Sequence, residues 1–238
     1  MLEDQVERAA VATWPASTVE RADGWFLRHC EVVRRKRSNS ALPPAVIADV
    51  GSAVEAVEGF YAERGCRPVV QVSPLERHGE LDGFLAGRGY RAVSETEVMV
   101  ADVEPVAAAE PGLEVRLEAD PHESWFAACA AVGQPVEPGL DAMAGPAGFA
   151  VAVEDGVAAG VGLFAVSGSW CGVYCMATAE SRRRRGVAGS VLRAGARWAA
   201  GAGARRLFLQ VEADNPGARA LYEKAGFRRS HGYHYRVG

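Results

Sequence analysis

No run of about 18 uncharged apolar residues occurs in this chain, so a membrane span is not expected. The first residues, Met1-Leu2-Glu3-Asp4-Gln5, lack the basic segment and apolar core of a secretory signal, and a cytoplasmic protein is expected. Cysteine is scarce: five residues, an odd number, with no Cys-x-x-Cys pair. Neither a zinc site nor thioredoxin-like redox chemistry is expected, only reduced and mostly buried thiols. Positive charge is not in excess. The net charge of −4 argues against a general nucleic-acid binder. A Gly-x-x-x-x-Gly-Lys-Ser/Thr phosphate loop is missing as well. What remains is 238 residues, 49% hydrophobic and 24% charged, the composition of a globular protein with room for one large domain or two small ones.

Residues 101–112 carry two prolines and many small residues, and read as a connector. The expected division is an N-terminal lobe, 1–104, and a second domain, 110–238. The halves share a faint repeat. Arg67–Val72, a helical pattern up to Arg88 and Gly89-Tyr90-Arg91 match Arg206–Val211, a helix from Asn215 to Ala225 and Gly226-Phe227-Arg228. Three matching elements in order point to duplication. In the second half, the patterning predicts strands at Leu113–Leu117, Phe149–Glu154, Val157–Val166, Ser169–Thr178, Arg206–Val211 and Arg228–Val237. It predicts helices at Pro121–Val132, Val187–Ala200 and Pro216–Ala225. Asp155-Gly156 is a strong hairpin turn. The first half offers a helix before Trp14, strands around Trp25–Arg37 and a helix around Ser52–Arg64. Strands mixed with helices, and an antiparallel hairpin among them, imply an α+β (mixed α/β) fold with a central mixed sheet flanked by helices.

The most informative stretch is Ser181-Arg182-Arg183-Arg184-Arg185-Gly186-Val187-Ala188-Gly189-Ser190. It follows a strand and opens a helix, whose first N–H groups lack internal partners and favour an anion. Small residues let phosphate oxygens approach the backbone, and arginines add charge and forked donors. Between Ser181 and Val211 there are eight arginines and no carboxylate. A solvated basic loop is the plain alternative. Nucleic-acid binding is a rival, though no aromatics interleave with the arginines. Gly160-Val161-Gly162-Leu163-Phe164-Ala165 fits a dinucleotide fingerprint, but it lies within a strand pattern with no helix after it.

Arg183-Arg184-Arg185-Gly186-Val187-Ala188 resembles the Arg/Gln-x-x-Gly-x-Gly/Ala signature of the GNAT superfamily of acyl-CoA-dependent N-acyltransferases. Val173–Thr178 precedes it at the usual distance. Asn215-Pro216-Gly217-Ala218-Arg219-Ala220-Leu221-Tyr222-Glu223-Lys224-Ala225-Gly226-Phe227 resembles the family's Asn-x-x-Ala-x-x-Leu-Tyr-x-x-x-Gly-Phe segment at every signature position. The resemblance covers residues 113–238. Asp23-Gly24-Trp25 and Arg35–Ser40 resemble the N-terminal part of two-lobed members.

The resemblance implies a tandem GNAT fold and acetyl-CoA as acyl donor, with no metal. The donor would lie between parallel strands that splay, Ser169–Thr178 and Arg206–Val211. Its pantetheine would lie along Met176, Ala177 and Thr178. Its pyrophosphate would sit on Arg183, Arg184, Arg185, Gly186, Val187, Ala188, Gly189 and Ser190, with Asn215 and Ala218 on the far side. Asn215 is also a good N-cap, with Pro216 in the first helical position. Tyr222, two turns after Asn215 on the same face, matches the family's general acid, and a core tyrosine is the plain alternative. The matching position of the first-half repeat is Leu85, which cannot donate a proton, and Pro44–Gly51 contains Asp49, which would repel a diphosphate. The first lobe is therefore expected to be degenerate.

The pattern breaks at the base. Where many relatives resemble one another in carrying a glutamate, this chain has Gly172, and on the following strand it has Gln210. Glu212, one alternation away, is a candidate base. Tyr174 is a candidate base or substrate contact. Cys175 lies near the expected thioester as a bystander. His231 and His234, spaced His-x-x-His, lack a third metal ligand. With Tyr233 and Tyr235 they are expected at the acceptor end of the sheet. The reading is an acetyl-CoA-dependent N-acetyltransferase acting by direct transfer on a primary amine, of a small molecule in the first instance. Its expected partners exclude nucleic acid and membrane, and the chain is expected to be a monomer or homodimer. A protein or peptide acetyltransferase, and a non-catalytic acetyl-CoA-binding regulator, are the alternatives.

Overall fold

The computed structural model describes residues 1–14, 16–110, 112–136, 140, 143 and 145–238. Eleven strands form one sheet: β1 (Thr18–Ala22), β2 (Trp25–His29), β3 (Ala41–Leu42), β4 (Val69–Val72), β5 (Arg91–Asp102), β6 (Glu114–Glu118), β7 (Ala147–Glu154), β8 (Val157–Ser167), β9 (Trp170–Thr178), β10 (Arg206–Glu212) and β11 (Arg228–Val237). Their spatial order is β1-β2-β3-β4-β11-β5-β10-β9-β8-β7-β6. The helices are α1 (Leu2–Thr13), α2 (Val50–Ala62), α3 (Gly79–Gly87), α4 (Val103–Ala108), α5 (Glu123–Ala131), α6 (Val187–Gly201) and α7 (Pro216–Lys224). Among the described residues no helix is long and apolar enough to cross a membrane.

The repeat extends further than the three matching segments. Asp23-Gly24 and Asp155-Gly156 both turn hairpins with positive φ at both residues, which matches the twist of paired strands. In each half a parallel pair then brackets a helix: β3 and β4 around α2, β9 and β10 around α6. A second helix follows, closed by Gly89 (φ +88) or Gly226 (φ +96). The Tyr90 and Phe227 N–H groups donate back to the Leu85 and Tyr222 carbonyls. Leu85 and Tyr222 therefore hold equivalent places in the fold.

The last strand of each half crosses to the other. β11 lies between β4 and β5, and β5 lies between β11 and β10. The centre of the sheet is thus an exchanged pair. Residues 101–112 are expected as a plain connector; residues 101 and 102 instead finish β5, and Val103–Ala108 form α4, with Val103 and Val106 buried against the core that also takes α6. Strand structure expected up to Arg37 stops at His29, and Lys36–Ser38 form a single 3-10 turn.

Among the described residues, three apolar clusters form the core. One lies under α4, α6 and α7. A second, on the opposite face, joins Val6, Ala9, Ala10 and Trp14 from the chain start to Trp125, Phe149, Tyr174 and Phe208. The third packs α2 and α3 on β4. The first helix of the chain is therefore seated on the second half's sheet. Glu7, buried in that interface, accepts from Ser73 Oγ (2.6 Å), Gln71 Nε2 (3.2 Å) and the His231 ring (2.8 Å). Burial alone would raise its pKa. The bonds from His231 and Ser73 and the charge of Arg28 outweigh that and hold it below the usual carboxylate range.

Candidate active site

β9 and β10 pair in parallel only from Trp170/Arg206 to Val173/Leu209. Beyond that they part, although β9 continues to Thr178 and β10 to Glu212. The cause is local. Cys175 takes a left-handed conformation (φ +51), and between the pairings with Leu163 and Val161 of β8 two residues of β9, Cys175 and Met176, stand against one of β8, Gly162. A bulge of this kind bends a strand and ends its pairing. Past Val173, the β10-facing edge of β9 is left without a strand partner.

A cleft of about 500 Å³ opens at this split. Met176, Asn215, Ala218 and Tyr222 line it, together with Tyr174, Cys175, Gln210 and Glu212. These residues, which the sequence scatters over nearly fifty positions, face one space. Tyr222 is buried, its hydroxyl makes no hydrogen bond among the described residues, and burial pushes its pKa up to about 12. It is therefore protonated at neutral pH. Asn215 Oδ1 accepts from the Ala218 N–H at 3.1 Å and caps α7.

Tyr174 is held differently. Thr13 Oγ1 donates to the Ala9 carbonyl (2.7 Å), so the Tyr174 hydroxyl donates to Thr13 (2.8 Å). Burial, only partly offset by Arg37, pushes its pKa up to about 12. Its ring lies where a side chain at 172 would be: a Cβ on Gly172 would come within 2.4 Å of it. That contact explains why this chain has glycine at 172.

The proposed pyrophosphate cradle lies outside this cleft. Gly186, left-handed at φ +82, stands at the N-cap of α6 and offers no side chain to its first turn. A left-handed residue entering a right-handed turn gathers N–H groups into an anion-binding concavity. Arg183, Arg184 and Arg185 are exposed around it. Val187 is buried and contributes backbone only. Ser190 departs from its expected role. It is buried, and its hydroxyl donates to the Gly186 carbonyl (3.1 Å) and accepts from the Gly112 N–H (3.0 Å), so it fixes the loop from behind. Arg182 is tied to Glu154 (2.6 Å) and Asp155 (2.8 Å), carboxylates that the fold brings in from the β7–β8 turn. A neighbouring hollow of about 260 Å³ is lined by Gly186, Gly189, Arg193 and Lys224. The first half offers no such cradle. Asp49 Oδ1 accepts from the Ser52 N–H and caps α2, so a carboxylate occupies the place of an anion. The Gly160-Val161-Gly162 run lies inside β8.

The histidines are not in the cleft. Alternation along β11 sends His231 to Glu7 and His234 to Asp82 (2.6 Å), and both rings are buried. Only Tyr233 and Tyr235 reach the cleft. Trp14, Arg34, Arg35, Lys36 and Arg37, for which no site role is expected from the sequence, line the same cleft. The available signal was the run of four cations with no carboxylate between Val32 and Ala48.

Residues 4–236 match the protein family described as "Probable histone acetyltransferase Rv0428c C-terminal". The chain is 28% identical over 243 residues to a protein of Bacillus subtilis described as "Uncharacterized N-acetyltransferase YobR", covering 98% of this chain and 97% of that one. Its fold is similar to that of a GCN5-related N-acetyltransferase from Kribbella flavida, with a TM-score of 0.79 at 18% identity over 99% of this chain and 95% of the other. It is also similar to a tandem GNAT protein from the clavulanic acid biosynthesis pathway, with a TM-score of 0.63 at 11% identity over 98% and 87% of the two chains.

Proposed function

The chain belongs to the Rv0428c C-terminal acetyltransferase family and is an acetyltransferase of GNAT type, and from that premise we propose that it moves an acetyl group from acetyl-CoA directly to a primary amine of a small molecule. The observation that carries this reading is the single cleft that joins the split of β9 and β10 to Tyr222. When bound, acetyl-CoA supplies an activated acetyl thioester. The N–H groups at the start of α6, with Arg183, Arg184 and Arg185, hold its pyrophosphate, and the open edge of β9 at Met176, Ala177 and Thr178 holds its pantetheine as an added strand would. Asn215 and Ala218 line the other side. Tyr222, protonated and free of a partner, delivers a proton to the departing sulfur.

An alkylamine has a pKa of about 10 and must lose a proton to attack. Glu212, exposed at the cleft, is the proposed acceptor of that proton. Tyr174, already a donor to Thr13, serves as a wall. Residues 1–104 form a GNAT-like lobe without a reaction centre, because Leu85 stands where Tyr222 does and Asp49 fills the helix start. A basic polypeptide tail is the poorer acceptor, since four cations and one carboxylate line the cleft. Calorimetric titration with acetyl-CoA tests the reading. One site per chain, lost in Gly186→Glu, and CoA release from an amine panel are expected. Two sites would overturn the degenerate first lobe, and no binding would overturn the enzyme.

A further inference from the structure

The second half passes from β8 to β9 through Gly168-Ser169 alone. The equivalent passage of the first half, β2 to β3, takes residues 30–40. This enlarged loop reaches across to the other half's cleft and lines it with Arg34, Arg35, Lys36 and Arg37. It is held in place by design of its neighbours: Trp14 Nε1 donates to Ser38 Oγ (3.0 Å), Asn39 Nδ2 donates to the Val33 carbonyl (2.6 Å), and Lys36 Nζ donates to Ser94 Oγ (3.2 Å).

Arg37 is the deepest of the four. Its guanidinium lies 4.8 Å from the Trp14 ring centre and 5.2 Å from that of Tyr174. Its Nε is fully buried and without a hydrogen-bond partner, and no described carboxylate pairs with it. A partly buried cation facing a cavity without a counter-ion is costly unless a ligand supplies the opposite charge. Stacking on aromatic rings leaves the in-plane N–H groups of a guanidinium free to take a carboxylate or phosphate with two parallel bonds.

We propose that the acceptor of this enzyme is an amine that also carries an anionic group, a carboxylate or a phosphate, and that Arg37 binds that group. The inference rests on the functional reading above. It places the anion on the first half's loop and the amine toward Glu212 and the split strands, so the degenerate half supplies acceptor selection.

The test is calorimetric titration of the CoA-saturated protein with matched pairs: β-alanine against propylamine, phenylalanine against phenethylamine, phosphoethanolamine against ethanolamine. At least one anionic member should bind at least about 10-fold more tightly than its neutral partner. That preference should vanish in Arg37→Gln and return in part in Arg37→Lys, while acetyl-CoA titrates equally into all three proteins. Preference for β-alanine or phenylalanine identifies a carboxylate, and preference for phosphoethanolamine a phosphate. Anionic members that bind no better than their partners, or bind Arg37→Gln equally well, overturn the proposal. Failure of acetyl-CoA to bind the wild type overturns the functional reading instead.

Discussion

Tyr222 combines three properties at one atom: it lines the cleft, it has no hydrogen-bond partner among the described residues, and its raised pKa keeps its proton at neutral pH. Tyr222→Phe keeps the ring packed on Phe227 and removes only the proton. The expected result is a loss of about 100-fold in kcat with unchanged acetyl-CoA affinity, read by CoA release and calorimetry. Gly172 answers to Tyr174 in the same local way. Gly172→Ala places a methyl group against a ring held by Thr13 and Trp14, and overpacking of this kind costs about 1–3 kcal/mol. A lowered Tm in Gly172→Ala, relieved when Tyr174→Ala is added, is the expected outcome. Tyr222 was legible in sequence because its neighbours Asn215, Leu221, Gly226 and Phe227 fix its place in a helix and cap. The role of Gly172 was not, because the ring that crowds it turns back over the chain, and only side-chain packing against α1 sets that direction.

At the scale of elements, the start of α6 and the start of α2 are the same position of the repeat with opposite chemistry. Gly186 leaves the first turn of α6 open, whereas Asp49 closes that of α2. Gly186→Glu should abolish acetyl-CoA binding and lower Tm modestly: a Cβ there meets nothing within 4 Å, but a non-glycine residue at φ +82 is strained. The same motif arithmetic could not show which arginines face solvent. Arg182 is neutralised by Glu154 and Asp155, residues separated from it by the two strands β8 and β9, and Ser190 is spent on Gly112.

For the molecule as a whole, the exchange of β5 and β11 makes each half's sheet depend on the other. Residues 110–238 alone would leave β10 without β5, and β11 without both its neighbours. A single unfolding transition in calorimetry is expected for the full chain, and failure of the isolated second half to give a cooperative transition. Glu7 ties the halves through His231 of β11 and Ser73 after β4. Its pKa is depressed in the folded protein, so its contribution is present above the unfolded value near 4.5 and is lost as pH falls through the folded value. Glu7→Gln should lower Tm at pH 7 and flatten the fall of Tm below about pH 4.5. Breaking such a buried pair costs about 3–5 kcal/mol.

The order of strands and helices in the second half and its partial repeat in the first follow from the sequence itself, as do the glycine at the start of α6 and the place of Tyr222, the proposed proton donor, because periodicity, turn dipeptides and caps act within a few residues of chain. The sequence also places Leu85 and Asp49 at the first-half positions that match Tyr222 and Gly186. The strand exchange, the seating of α1 on the second half's sheet, the diversion of His231 and His234 to buried carboxylates and the arrival of Arg34–Arg37 at the cleft were decided only by tertiary structure. Each depends on which edge a strand joins or which face a side chain meets. Those choices are made by burial and hydrogen bonding between segments more than fifty residues apart.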